Sequence, residues 1–394
     1  MRNPAYPTRS RLPGAAVQTH RSARSLSLAG VFALLAGCAG TPLPALQPDM
    51  PTAWRHAQDA RAPAPDLHAW WKAFDDPELD RLVDAALASN LTIAQAALHI
   101  ESARVLADTA HAGFLPQIGA HTFSEPTPDS SASYFQAGFD AKWELSLFGR
   151  ARNHARTTVA DLGIAESETQ AARVSVVAEV ARAYVELRGA QARLGLLERL
   201  ASDAGDKVAL SVTRERLRLA SASDVARAQA EQAATQAALS EPRLAIERSR
   251  QQLAVLLGHA EPDADLVAAG APPTLGNLRI ASAPADLVRT RPEIRRAENS
   301  VLKAAGELGL ARADLYPRLG LGGALTYASK VIGHSRLSDA DGIVTFGPVI
   351  DIPLFDWGAR RAVVDARDAD LAASVLAYRQ AVLDGVAEAE IAMA

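Results

Sequence analysis

The sequence is poor in the residues on which several protein classes depend. It has a single cysteine among 394 residues, so no disulfide can form within one chain. Aromatic residues make up only 5% of the chain, which disfavours a sandwich or barrel of many short strands and favours long helices. The formal net charge is −4, whereas nucleic-acid-binding proteins present strongly basic surfaces. The chain therefore lacks the charge signature of a nucleic-acid-binding protein.

Catalytic and metal-binding patterns are also scarce. The nine histidines are dispersed, with no pair four residues apart and no cysteine partner for zinc, so we expect no metal and no cofactor. Ser300 and Lys303 form a Ser-x-x-Lys pattern, but no Lys-Thr-Gly accompanies it. The glycines between 320 and 323 are not followed by a lysine or a helix start, so we interpret them as part of a curved strand. We predict that the protein is not an enzyme.

The single cysteine follows a short apolar run near the N terminus. Arg21 and Arg24 precede residues 26–35, which are apolar or small. This run is too short to cross a bilayer as a helix but is typical of a signal-peptide core. It ends in Leu35-Ala36-Gly37-Cys38, which resembles the lipobox of bacterial lipoproteins.

The lipobox resemblance implies a processed and lipid-anchored protein. Residues 1–37 would be a lipoprotein signal peptide, and Cys38 would carry a covalent diacylglycerol and an N-acyl lipid. Ala39 is compatible with the outer membrane, because an aspartate there usually favours retention in the inner membrane. We interpret residues 38–66, which are rich in proline and small residues, as an extended lipid-anchored tether.

The remainder of the chain contains an internal duplication. Asn90–Pro116 and Arg291–Pro317 have equal length, and each predicts an amphipathic helix that ends at a proline. Two alternating stretches follow each helix and predict strands, at about 117–125 and 134–147, then at about 318–327 and 342–354. We predict a first repeat at 67–258, a linker at 259–285 and a second repeat at 286–394.

The stretch at 134–147 is the clearest strand, and its two faces differ in chemistry. The apolar face, predicted to face lipid, contains Phe135, Phe139 and Trp143. The other face, predicted to face water, contains Gln136, Asp140 and Lys142. Such alternation fits a wall between lipid and water. The alternative is an ordinary strand over a soluble core, which is the more common meaning of alternation.

Four lipid-compatible strands per chain cannot close a barrel. Open sheet edges are not tolerated in hydrocarbon, and known barrels begin at about eight strands. The strands must therefore be pooled between chains. Two, three or four copies would give eight, twelve or sixteen strands, and the strand count alone does not choose among them.

A long helical region follows the first pair of strands. We predict a helical hairpin at about 151–257, with its turn near Ala220 to Ser223. A narrow apolar stripe at helical spacing is typical of a coiled-coil seam. On the first arm this stripe contains Val174, Val177, Ala181, Tyr184 and Leu187. In the second repeat only the beginning of a corresponding arm is present.

Several sequence blocks resemble the NodT-type outer-membrane efflux lipoproteins, which have a TolC-like fold. The blocks are Trp70-Trp71-x-x-Phe74-x-Asp76-Pro77, the corner at 143–150, the stretch at 286–295 and Ala311-Arg312-Ala313-Asp314-Leu315-Tyr316-Pro317-Arg318. They occur in the family's order and spacing, from Leu34 to the end of the chain.

The resemblance implies an α+β membrane protein with long α-helical coiled-coil hairpins. Each chain would contribute four transmembrane β-strands to a trimeric 12-stranded β-barrel in the outer membrane, with its helical part in the periplasm. The implied function is a passive export duct for drugs or other small molecules. The implied partners are a periplasmic adaptor and an inner-membrane RND-type transporter. The alternatives are a periplasmic adaptor lipoprotein and a cell-envelope hydrolase.

The resemblance also gives two expectations about the hairpins. The adaptor contact would lie at the hairpin turn, for which the candidates are Arg216, Arg218, Ser221 and Asp224. Arg218 stands where the family usually has glycine, so the backbone conformation of the turn and its contact with the adaptor can differ from those of the family. The second repeat lacks a returning arm, so we expect a C-terminally truncated chain that is impaired as a duct.

Overall fold

The computed structural model describes residues 43–46, 54–55, 67–125, 134–275, 290–332 and 336–394. Cys38 and the predicted signal peptide lie outside these residues. The described residues fall into two compact units. The strand unit combines Phe114–Asn153 with Gly309–Arg360, and the helical unit combines Leu43–Gly113, His154–Leu308 and Arg361–Ala394.

Within the described residues the chain repeats the order helix, strand, strand, helix. The helices are α1 (Pro77–Ser89), α2 (Leu91–Asp108), α3 (Arg150–Arg216), α4 (Ala222–Ala238), α5 (Ser240–Leu256), α6 (Pro292–Ala313) and α7 (Ala359–Met393). The strands are β1 (Gln117–Glu125), β2 (Tyr134–Leu145), β3 (Arg318–Ile332) and β4 (Arg336–Asp351). Short 3-10 helices lie at Leu67–Phe74, Ala112–Phe114 and Ala264–Val267. No helix in the described part of the chain is both long enough and apolar enough to cross a membrane.

Side-chain caps fix where the first helices begin. Asp76 accepts hydrogen bonds from the backbone N–H groups of Glu78 and Leu79, and Pro77 suits the first helical position. Asn90 caps α2 in the same way, and its Nδ2 donates to the Leu256 carbonyl at 2.8 Å. This second bond ties the junction of α1 and α2 to the end of α5.

The core of the helical unit forms around the stripe predicted on α3. Val177, Ala181, Tyr184 and Leu187 are buried. They pack with apolar residues of α1, α5 and the 3-10 helix at 264–267. Val174, which was predicted to belong to the stripe, is exposed in the single chain. The apolar period therefore locates the buried face, and the extent of that face depends on where α1 and α5 lie.

The hairpin differs from its predicted form at two points. The turn occupies residues 217–221, because α3 ends at Arg216 and α4 begins at Ala222. The returning arm is interrupted at Leu239, so it consists of α4 and α5. Pro242 lies in the first turn of α5, where its missing N–H group costs no helical hydrogen bond.

The four strands form one antiparallel sheet in the order β1-β2-β3-β4. β2 ends two residues before its predicted end, and β3 continues to Ile332. β4 begins at Arg336 because it pairs with this extension, and it ends at Asp351 shortly before Pro353. Proline cannot donate to a strand ladder, so Leu354, the predicted end of this strand, lies beyond β4.

Candidate functional site

The register of the sheet places apolar residues of all four strands on one face. Residues opposite each other in an antiparallel pair lie on the same face, and successive residues alternate. One row across the sheet contains Ala120, Phe139, Leu325 and Val344, and a second contains Ile118, Ala141, Gly323 and Phe346. A third row contains Trp143, Leu321 and Pro348. The sheet therefore has a continuous apolar face, which we call the apolar sheet face.

The apolar sheet face is open in the single chain. The side chains of Phe139, Val344 and Phe346 are 58%, 75% and 80% exposed. Phe135 is half-buried, and Trp143 is exposed while its indole N–H donates to the Phe114 carbonyl at 2.9 Å. A large apolar patch of this kind marks a surface that contacts a membrane or another protein.

The opposite face carries the polar side chains. Gln136, Asp140 and Lys142 lie on it, and Asp140 Oδ1 is 3.1 Å from His121 Nδ1 on β1. Gly138 and Gly320 also lie on this face, where a Cβ atom would come within 3.0 Å of backbone of the neighbouring strand. Because side chains do not fit at these two positions, the sheet can bend toward its polar face.

Charged and aromatic contacts hold the base of the strand unit together. Arg150 Nε lies 3.1 Å from Glu144, and its guanidinium also pairs with Asp314. The rings of Phe148 and Tyr316 stack with their centres 4.9 Å apart. These contacts join the corner after β2 to the segment that leads into β3, so the two repeats are held together here.

The hairpin turn is a Schellman motif, in which the residue after the helix adopts a left-handed conformation. The N–H groups of Arg218 and Leu219 donate to the carbonyls of Glu215 and Arg214, both at 2.8 Å. Arg218 has a φ of +60°. Glycine is favoured in this conformation because a Cβ atom costs about 1–2 kcal/mol there. The geometry explains why glycine would suit this position.

The other two turn candidates cap the returning helix. The Ser221 hydroxyl accepts from the Asp224 N–H, and the Asp224 carboxylate accepts from the Ser221 N–H at 2.9 Å, which together form a capping box. The hydroxyl also donates to this carboxylate at 2.6 Å. These bonds, the side-chain one first, lower the pKa of the Asp224 carboxyl. These bonds stabilise the turn fully at pH values above the ordinary pKa of an aspartate. The stabilisation is lost as the pH falls through the lowered pKa of Asp224.

Replacing Arg218 with glycine should stabilise the turn by about 1 kcal/mol, because it removes the strain of the left-handed backbone. We expect slower hydrogen exchange at the Leu219 amide, which closes the Schellman motif. Arg216→Gly is the matched control, since Arg216 is helical, and it should destabilise the helix end by about 1 kcal/mol. Equal exchange rates in the two variants would contradict the assignment.

Two exposed leucines of the turn were not among the predicted contacts. Leu217 and Leu219 flank Arg218, and both side chains are largely exposed. Isolated exposed leucines are common, but two beside one turn form an apolar spot between charged residues. Their exposure could have been predicted from the sequence, because apolar residues in a polar turn cannot reach the hydrophobic core.

The Ser-x-x-Lys pattern on α6 lacks the geometry of a nucleophile and its base. The Ser300 hydroxyl donates to the Arg296 carbonyl at 2.9 Å, and Lys303 Nζ lies 2.7 Å from Asp161 Oδ1. The hydrogen bond to Asp161 raises the pKa of Lys303. A catalytic base needs a lowered lysine pKa, so this lysine serves an ion pair between α6 and α3.

Comparisons with known proteins agree with this architecture. A family model described as outer membrane efflux protein matches residues 82–259 and 283–394. Nodulation protein T of Rhizobium leguminosarum bv. viciae is 29% identical over 362 residues, which cover 88% of this chain and 73% of that protein. The solvent efflux pump outer membrane protein SrpC of Pseudomonas putida is 30% identical over 374 residues, which cover 89% of this chain and 79% of SrpC.

Solved structures show the same fold. The outer-membrane channel OprN has a TM-score of 0.75 and 30% identity, over 90% of this chain and 82% of OprN. The MtrE outer membrane channel of Neisseria gonorrhoeae has a TM-score of 0.74 and 25% identity, over 90% of this chain and 81% of MtrE. The predicted TolC-like fold is therefore confirmed.

Proposed function

Because this chain belongs to the outer membrane efflux protein family, it is an outer-membrane channel component of an efflux system, and we propose that it acts as a trimer with a periplasmic adaptor and an inner-membrane RND-type transporter. The channel relatives favour the duct over the adaptor lipoprotein considered as its alternative. We also propose that the chain performs no catalysis of its own. The observation that carries the proposed assembly is the open sheet with one apolar face.

Both edges of the sheet support an assembly of several chains. Among the described strands, β1 pairs only with β2, and β4 pairs only with β3. Unpaired strand edges are not tolerated in hydrocarbon, so β1 and β4 need partners from other copies of the chain. Three copies would pool twelve strands, which is the barrel that the family resemblance implies.

Two helices of the helical unit carry exposed apolar stripes that would suit the same assembly. Leu91, Leu98 and Val105 recur every seven residues on α2, and Leu376 and Leu383 have the same spacing on α7. A seven-residue repeat on an exposed face is typical of helices that pack against a partner helix. A second copy of this chain, which presents both stripes, is the partner we propose.

We propose that Cys38 is the lipid-modified N terminus of the mature protein. It lies outside the described residues, and the support is the ordered signal that ends in Leu35-Ala36-Gly37-Cys38. A single acyl chain binds membranes only marginally, whereas several bind firmly. The mass of the N-terminal peptide tests this proposal, because it shows whether Cys38 carries the lipid.

We propose that the adaptor meets the hairpin at its turn. Arg216, Arg218, Ser221 and Asp224 are exposed there beside the apolar spot of Leu217 and Leu219. A surface with charged side chains around an apolar centre resembles the composition of protein interfaces. The Schellman motif and the capping box also hold the backbone at both ends of the turn with hydrogen bonds.

Site-specific crosslinking tests the adaptor contact. Cysteines placed at positions 218 and 222 should capture a periplasmic adaptor in intact cells. A cysteine at position 189, an exposed glycine in the middle of α3, is the control and should capture much less. Capture from position 189 alone would reject the placement at the turn.

A further inference from the structure

A tryptophan of the N-terminal segment is buried in the helical unit. Trp54 is only 6% exposed, and it belongs to an apolar cluster with Ile294, Val301, Tyr378 and Val382. Leu46, a second large apolar residue of this segment, packs against the same cluster. The segment was interpreted from its composition as an extended tether without a folded core, so a buried anchor within it was not predicted.

Helices α6 and α7 form the groove that receives Trp54. They run antiparallel, because Arg291 beside the start of α6 pairs with Glu388 near the end of α7 at 2.6 Å. At the other end Arg367 pairs with Glu307 at 3.0 Å. On α7, a Cβ atom at Gly385 would lie 3.0 Å from the Arg291 guanidinium, so this side chain lies against Gly385. The groove is thus held by ion pairs at both ends and is apolar between them.

A backbone contact fixes the direction of the segment at the groove. The Arg55 N–H donates to Glu390 Oε1 on α7 at 2.9 Å. The buried indole and the adjacent hydrogen bond to a carboxylate together make this a specific contact. Burial of the apolar ring supplies the affinity, and the charged acceptor fixes the orientation of the backbone.

We propose that the α6–α7 groove is a binding site for the N-terminal tether, with Trp54 as its anchoring side chain. Because Leu46 and Trp54 both contact the α6–α7 cluster, the reach of the membrane anchor is set by the stretch from Cys38 to Leu46. That stretch can span at most about 29 Å when fully extended. Its role in holding the membrane anchor rests on the proposed lipid at Cys38, whereas the binding of Trp54 does not.

Limited proteolysis of the full chain in detergent tests this site. Trypsin cleaves after arginine and needs an extended segment of several residues, so cleavage after Arg55 requires Trp54 to leave the groove. Trp54→Ala should increase the rate of this cleavage at least tenfold, and Trp54→Phe should increase it less. Leu43→Ala is the matched control, because Leu43 lies in the same segment with an exposed side chain, and it should leave the rate unchanged.

The outcomes separate this site from a structural core residue and from the lipid anchor. Equal cleavage rates in Trp54→Ala and Leu43→Ala would overturn the binding site. Loss of helical circular dichroism in Trp54→Ala would also overturn it, because Trp54 would then belong to the helical core. The mass of the released fragment that ends at Arg55 reports on Cys38. A fragment without lipid would remove the anchoring role and leave the groove intact.

Discussion

Replacing Phe139 with arginine should strongly reduce assembly of the protein in the outer membrane. Phe139 lies on the apolar sheet face, in a row with Ala120, Leu325 and Val344, and its ring is exposed. A cationic side chain on the lipid face of a membrane strand costs about 2–4 kcal/mol near the middle of the bilayer. In a trimer this cost would occur three times, so we expect most of the chain to fail to assemble.

Gln136→Arg is the control for this prediction. Gln136 lies on the same strand but on the polar face, which already carries Lys142. The amount of heat-resistant oligomer in outer-membrane fractions measures assembly. We expect Gln136→Arg to assemble at close to the wild-type level. If both variants assemble equally well, the assignment of the two faces to lipid and water is wrong.

Replacing Gly309 with alanine should destabilise the strand unit by about 1–3 kcal/mol, because the added methyl group has no space. A Cβ atom at this position would overlap the side-chain amide of Asn153 on α3. Asn153 is only 3% exposed, so its amide has little room to move away. The cost of overpacking exceeds the gain of up to about 1 kcal/mol that alanine brings to a helix.

Gly189→Ala supplies the matched comparison on α3. No atom lies within 4 Å of a Cβ built at Gly189, so alanine there should stabilise the helix by up to about 1 kcal/mol. The midpoint of thermal unfolding, followed by circular dichroism at a fixed protein concentration, should fall in Gly309→Ala and rise in Gly189→Ala. If the midpoint shifts in the same direction in both variants, the contact with Asn153 does not exclude a side chain at position 309.

Patterns along the chain were sufficient to predict the family, the fold class and several of its secondary-structure elements. The blocks around Trp70 and Ala311 predict the TolC-like fold, and the comparisons confirm it. Alternation along residues 134–147 predicts β2, and the Ser221–Asp224 spacing supplies the capping box of α4. These signals are readable because each depends on residues within about four positions of one another. The lipid-facing side chains and the adaptor contacts stay predictions.

Which distant residues share a surface or compete for space became known from the three-dimensional fold. The apolar sheet face depends on the register that places Leu325 and Val344 beside Phe139, and the alternation in β4 is too irregular to give that register. The overlap between Gly309 and Asn153, and the burial of Trp54 between α6 and α7, likewise join parts of the chain that lie far apart in sequence. Local periodicity shows which face of an element is apolar. The position of the neighbouring element decides what that face meets, and it is fixed by packing across the whole fold.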